Sequence, residues 1–206
     1  MGRAPHALSD CTMDIPVRPR VRGSSRALRF LRVAGRRRMV LCNSIRESRM
    51  GQSREALEAF MREAIAEGKR ALPACLPNPP VGCVLVRDGA VIARGYTQPP
   101  YQPHAEPMAL SQVEGYLDDV TAFVTLEPCA FHQRTPSCAK EMIARRVGKV
   151  YVAVIDPHPK NQGRGIEMLR EAGIEVIIDF LTDEARPDLE PFLYGGPGTP
   201  EHPVGW

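Results

Sequence analysis

No stretch of the 206-residue sequence approaches the ~20 consecutive apolar residues that a spanning helix requires, so no membrane-crossing segment is expected. No secretory leader is legible either, because arginines interrupt every apolar stretch near the N-terminus. The six cysteines therefore read poorly as a disulfide framework, which belongs to short secreted chains. A reducing, cytoplasmic setting with some cysteines as metal ligands fits better. Lysine is absent from residues 1–50 and acids nearly so: 12 Arg stand against Asp10, Asp14 and Glu47, a net charge of +9. The remainder carries −6, so the main body offers no general electrostatic footprint for nucleic acid.

What is present is ordinary globular composition, 43% apolar and 25% charged, with no internal repeat. Residues 1–50 show no helical or strand period and read as a disordered Arg-rich arm. An organellar targeting peptide, a translation start at Met50, or a nucleic-acid-binding arm are the alternatives. Residues 51–193 read as the folded domain. Ser53 is a candidate N-cap, and Leu57, Phe60, Met61, Ala64 and Ile65 share one helical face. The prolines of residues 73–80 forbid helix. Val81–Val86 is a strand, Asp88-Gly89 a hairpin turn, and Val91–Ala93 starts the return strand. A helix is expected from His104, with Ala105, Met108, Ala109 and Val113 as its apolar stripe. A strand over Ala122–Leu126 and a loop over 128–137 follow. Then come a helix around Ala139–Val147, a strand over Val150–Ile155, a helix over 163–172 and a strand over Ile174–Ile178. Residues from Phe192 on are Gly/Pro-rich and read as a tail, with residues 194–206 outside the domain and too few residues remaining for a second one. Strands alternating with helices predict a largely parallel α/β sheet covered on both faces, with the hairpin as an antiparallel edge and five strands in all.

Two strand-to-helix junctions carry chemistry. One is Pro103-His104-Ala105-Glu106. The other is Thr125-Leu126-Glu127-Pro128-Cys129, followed after eight residues by Cys138. Ligands in open α/β sheets bind beyond the carboxyl ends of strands. One imidazole and two thiolates give zinc three protein ligands and leave a fourth position open, as catalytic sites require. His104, Cys129 and Cys138 are therefore the candidate ligands of a Zn2+ cofactor. Glu106, two residues beyond the histidine, is the candidate catalytic acid–base: it would take a proton from the attacking water, pass it to a ring nitrogen and protonate the departing amine. Cys83, inside an apolar strand, reads as core packing, and Cys11, Cys42 and Cys75 as free thiols.

With these residues in place, the chain resembles the deaminase domain of bacterial riboflavin biosynthesis proteins from about residue 54 to about 193. The resemblance includes Pro77-Asn78-Pro79-Pro80-Val81-Gly82-Cys83-Val84, His104-Ala105-Glu106, Thr125-Leu126-Glu127-Pro128-Cys129, Arg134-Thr135-Pro136-Ser137-Cys138, Asp156-Pro157, Gly163-Arg164-Gly165 and Glu171-Ala172-Gly173-Ile174. It implies a cytidine deaminase-like three-layer α/β/α sandwich with a mixed five-stranded sheet. It also implies zinc-dependent hydrolytic deamination of an aminopyrimidine, a ribosylated, phosphorylated diaminopyrimidinone. Asn78, His132 and Arg134 would contact that small-molecule substrate, and a homo-oligomer is implied. The same fold also serves deaminases of other small heterocycles. The chain departs from the family's usual pattern at Thr97, where a histidine is usual, at His158, where an asparagine is usual, and at Gln133, where a glycine is usual. These departures fall around the substrate and leave the metal ligands untouched.

Overall fold

The computed structural model describes residues 52–131 and 137–195. The arm expected over residues 1–50 and the tail beyond 195 lie outside these residues.

The first helix, α1 (Arg54–Lys69), begins where Ser53 accepts a hydrogen bond from the Ala56 amide at 3.2 Å, which satisfies one donor that the first turn leaves open. Its buried stripe of Met61, Ala64 and Ile65 is the one the sequence predicts. Residues 70–77 then form successive turns in a proline-rich stretch that forbids helix. A hairpin follows, β1 (Gly82–Arg87) and β2 (Ala90–Tyr96). Asp88 and Gly89 both adopt left-handed φ, 51° and 77°, which suits the twist of a two-residue turn. The chain continues as α2 (Ala105–Leu110), β3 (Val120–Leu126), α3 (Cys138–Ala144), β4 (Lys149–Val154), α4 (Arg164–Glu171) and β5 (Glu175–Ile177). It ends in α5 (Thr182–Leu189) and a 3-10 turn at Glu190–Phe192.

The strands form one mixed five-stranded sheet in the order β2-β1-β3-β4-β5. β1 runs antiparallel to both β2 and β3, while β3, β4 and β5 are mutually parallel. Helices α1 and α5 cover one face; α2, α3 and α4 cover the other. The middle strands are buried on both sides, so β1, β3 and β4 read as near-continuous apolar runs, as expected when both faces are covered. Beneath α1 and α5, Phe60, Phe123, Tyr151 and Phe180 form a continuous row, with Phe123 stacked on Tyr151 at 4.9 Å and 8°. Each fully buried large apolar side chain, such as Phe123, Leu85 or Leu169, contributes about 1.5–3 kcal/mol.

Three differences from the sequence reading stand out. Helix α2 stops at Leu110, where Ser111 caps it, although Val113 still packs against the core. β5 is three residues long, shorter than the run of apolar residues suggests. Helix α5 was not expected, because Pro187 lies inside it. Buried Ala185 and Leu189 hold it on the sheet, and the Thr182 hydroxyl donates to the Ala153 carbonyl at 2.7 Å.

Candidate metal centre and its pocket

The site lies where the carboxyl ends of β3 and β4 meet the start of α2. His104 occupies the N-cap position of α2, and Glu106 lies in its first turn. That helix can approach β2 closely because residue 95 is glycine: a Cβ there would lie 2.1 Å from the Ala105 carbonyl oxygen and 2.7 Å from the Ala109 nitrogen. Cys129 follows β3 by three residues, and Cys138 is the first residue of α3. Ser137 joins the two cysteine segments. Its hydroxyl donates to the Cys129 carbonyl at 2.7 Å and accepts from the Lys140 amide at 3.3 Å, while the Ala139 amide donates to the same Cys129 carbonyl at 3.2 Å.

The structure thus brings together all three candidate ligands. Nδ1 of His104 lies 3.9 Å from Sγ of Cys129 and 3.4 Å from Sγ of Cys138, and the three ligand atoms lie within 4.8 Å of one another. Tetrahedral zinc with ordinary Zn–S and Zn–N lengths sets sulfur and nitrogen about 3.6 Å apart. The donor set and spacing therefore fit zinc, with one position left for a non-protein ligand.

Electrostatics bind the group together. The Cys129 sulfur accepts from the Cys138 thiol and from the Cys138 amide at 3.2 Å, and His104 also stabilises its charge. These contacts outweigh burial and hold the Cys129 thiol well below its ordinary range. Donating to Cys129, together with burial, pushes the Cys138 thiol up. Burial opposes charge on His104, but the Cys129 contact and Glu106 outweigh it and raise the imidazole. Glu106 is only 3% exposed; burial and the neighbouring Cys129 charge raise it to about 7, against the pull of His104.

A second buried carboxylate frames the site. Glu127 accepts from the amides of Asp156 at 3.2 Å, Gly163 at 2.9 Å and Gly165 at 2.9 Å. Burial still raises its carboxyl above the ordinary range. It ties the segment just after β3, which carries Cys129, to the loop after β4 and to the start of α4. Asn161, fully buried, extends the tie: its amide donates to Asp156 at 3.1 Å and its carbonyl accepts from the Ala130 amide at 2.8 Å.

A cavity of about 200 Å³ opens onto this centre. His104, Glu106 and Cys129 line it, and so does Asn78, which is half-buried. Thr97 lines it as well and is locked in place: its hydroxyl accepts from the Val81 amide at 3.0 Å. His132 and Arg134 lie outside the described residues. Sequence reasoning did not single out Asp156, Phe131 or Tyr194 as site residues, yet all three line the cavity. The position of Asp156, just past the carboxyl end of β4, was the available signal. Cys83 is fully buried in β1, where burial raises its thiol, in keeping with a core role. Among the described residues Cys75, Cys83, Cys129 and Cys138 are free of disulfides, and no helix is long and apolar enough to cross a membrane.

Residues 54–154 match the family described as "Cytidine and deoxycytidylate deaminase zinc-binding region". The folded part of this chain therefore has the cytidine deaminase-like fold and matches that family's zinc-binding region. Within that class, its relatives are riboflavin biosynthesis proteins. It is 42% identical over 135 residues to the riboflavin biosynthesis protein RibD of Chlamydia muridarum, covering 66% of this chain and 36% of the relative. Among solved structures it is similar to Acinetobacter baumannii RibD, with a TM-score of 0.68 and 42% identity over 72% of this chain and 42% of that one. It is also similar to the diaminohydroxyphosphoribosylaminopyrimidine deaminase/5-amino-6-(5-phosphoribosylamino)uracil reductase of Thermotoga maritima, with a TM-score of 0.63 and 39% identity, covering 68% and 40% of the two chains. The chain spans about a third of the length of the curated relatives it matches.

Proposed function

We propose that this domain hydrolyses the amino group from an aminopyrimidine, the diaminopyrimidinone ribosyl phosphate of riboflavin biosynthesis. The observation that carries this reading is the convergence of one imidazole and two sulfurs, with His104, Cys129 and the buried Glu106 lining one cavity. In this reading His104, Cys129 and Cys138 hold zinc, which supplies Lewis acidity that makes water a nucleophile near neutral pH.

Glu106 then moves the protons. Its carboxylate accepts one from the attacking water and delivers it to the ring nitrogen beside the reacting carbon. It next takes the remaining proton from the hydroxyl now bonded to the ring carbon and gives it to the amino group as the C–N bond breaks, so that ammonia leaves and a carbonyl remains. Burial suits it to this work: with 3% exposure, bulk water does not compete for the proton. Asn78, which lines the cavity, would orient the ring. His132 and Arg134 are carried as substrate contacts on the family resemblance alone. The same resemblance supports a homo-oligomer acting on a small molecule, while the mildly acidic main body argues against nucleic acid as a partner.

A second reading, deamination of another small heterocycle, draws on Thr97 and His158. Both line the cavity and both replace residues usual in the riboflavin family. Incubation of zinc-loaded protein with the ribosylated diaminopyrimidinone should release one ammonia per substrate. Ammonia from a different amine and none from this one would select the second reading.

A further inference from the structure

The cavity has a wall that the chemistry above does not use. Phe131, His158 and Tyr194 come from three separate segments: the loop after β3, the loop after β4 and the segment that follows α5. Their rings form a row, with Phe131 5.7 Å from His158 and His158 5.3 Å from Tyr194 in a T-shaped contact. All three line the cavity.

The placement of Tyr194 is built, not incidental. The preceding residue, Leu193, is 5% exposed and belongs to the main core, and its amide donates to the Glu190 carbonyl at 3.3 Å. That anchor delivers Tyr194 to the cavity. His158 is likewise fixed. Its amide donates to Asp156 at 2.9 Å, and its Nδ1 accepts from the Lys160 amide at 3.2 Å, so the neutral ring carries its proton on Nε2. Burial holds His158 below its ordinary range, which favours that neutral ring.

The row has a direction. It starts at Phe131, two residues beyond Cys129, and ends at Tyr194, which is 38% exposed. Glu106 lines the same cavity, so a ligand whose amino-bearing carbon sits beside Glu106 can lay its substituent along this row. Aromatic faces with an N–H and an O–H at their edges suit a substituent that is itself a ring bearing hydroxyls. We infer that Tyr194, with His158 and Phe131, is a specificity-determining residue that receives the sugar-bearing side of the aminopyrimidine. This rests on the deaminase reading, whose chemistry places the reacting carbon.

The test measures binding separately from turnover. Zinc-loaded protein carrying Glu106→Gln, which binds without converting, is titrated calorimetrically with two probes: the ribosylated diaminopyrimidinone 5′-phosphate and sugar-free triaminopyrimidinone. The ratio of their Kd values is the preference for the sugar. Adding Tyr194→Ala should reduce that preference at least tenfold. Tyr194→Phe should reduce it less, separating hydroxyl from ring. The distant exposed Tyr116→Ala should leave it as it was. A preference within twofold of the parent in both Tyr194 variants, with melting temperatures unchanged, overturns the inference. Should Tyr194→Ala fail to fold, Tyr194→Phe and Tyr194→Leu decide on the same criterion. Ammonia release by the wild-type protein is scored independently. Its absence, with the sugar preference intact and sensitive to Tyr194, removes the proposed function and keeps this wall as a binding surface. Binding of neither probe removes both.

Discussion

Replacing Gly95 with alanine tests whether the spacing between β2 and α2 sets the site. The added Cβ would lie 2.1 Å from the Ala105 carbonyl oxygen, 2.7 Å from the Ala109 nitrogen and 3.1 Å from the Ala109 Cβ. Two of these neighbours are backbone, and real Cβ atoms essentially never approach closer than 3.0 Å, so the helix must retreat by about 0.9 Å. Overpacking of this kind costs about 1–3 kcal/mol, which for a chain of this size lowers the melting temperature by about 2–12 °C. The functional cost should be larger in proportion. Helix α2 carries both His104 and Glu106, and a misplacement of about 1 Å at reacting groups costs on the order of a hundredfold in rate. Thermal melts, zinc content by elemental analysis and ammonia release on the same preparation measure the three effects. A folded Gly95→Ala protein with wild-type melting temperature and turnover would refute the claim that this contact positions the site.

Two further outcomes follow from the buried carboxylates. Glu106→Gln keeps the shape and the metal but removes the proton acceptor, so turnover should fall about 10²–10⁴-fold while zinc content stays at one per chain; near-normal turnover would reject its role. Glu127→Gln turns an acceptor into an amino group facing at least one backbone donor, which should cost about 1–3 kcal/mol in denaturant unfolding. An unchanged midpoint would show that the tie between β3 and α4 is dispensable.

The sequence announced the centre more clearly than the pocket. His104, Cys129 and Cys138 are legible because zinc restricts which residue types serve as ligands, and because both motifs sit at junctions marked by abrupt changes of period. The hairpin was equally plain, since Asp88-Gly89 is nearly obligatory for its turn. Helix α5 was hidden because Pro187 removes the donor that would meet the Asp183 carbonyl; only tertiary contacts through Ala185, Leu189 and Thr182 reveal why the helix persists. Phe131, Asp156 and Tyr194 were not legible as neighbours. They lie tens of residues apart, and nothing local in a Gly/Pro-rich terminal segment signals that Leu193 anchors it in the core. Long-range placement of this kind follows from the order of strands, which a one-dimensional pattern leaves open.

The contacts of Ser137 and of the Cys138 amide clasp the two cysteine segments to each other. Ser137 carries no candidate ligand atom, yet its hydroxyl bridges the Cys129 carbonyl and the Lys140 amide in the first turn of α3. Loss of that one hydroxyl would therefore slacken both sulfurs together, although neither has been touched.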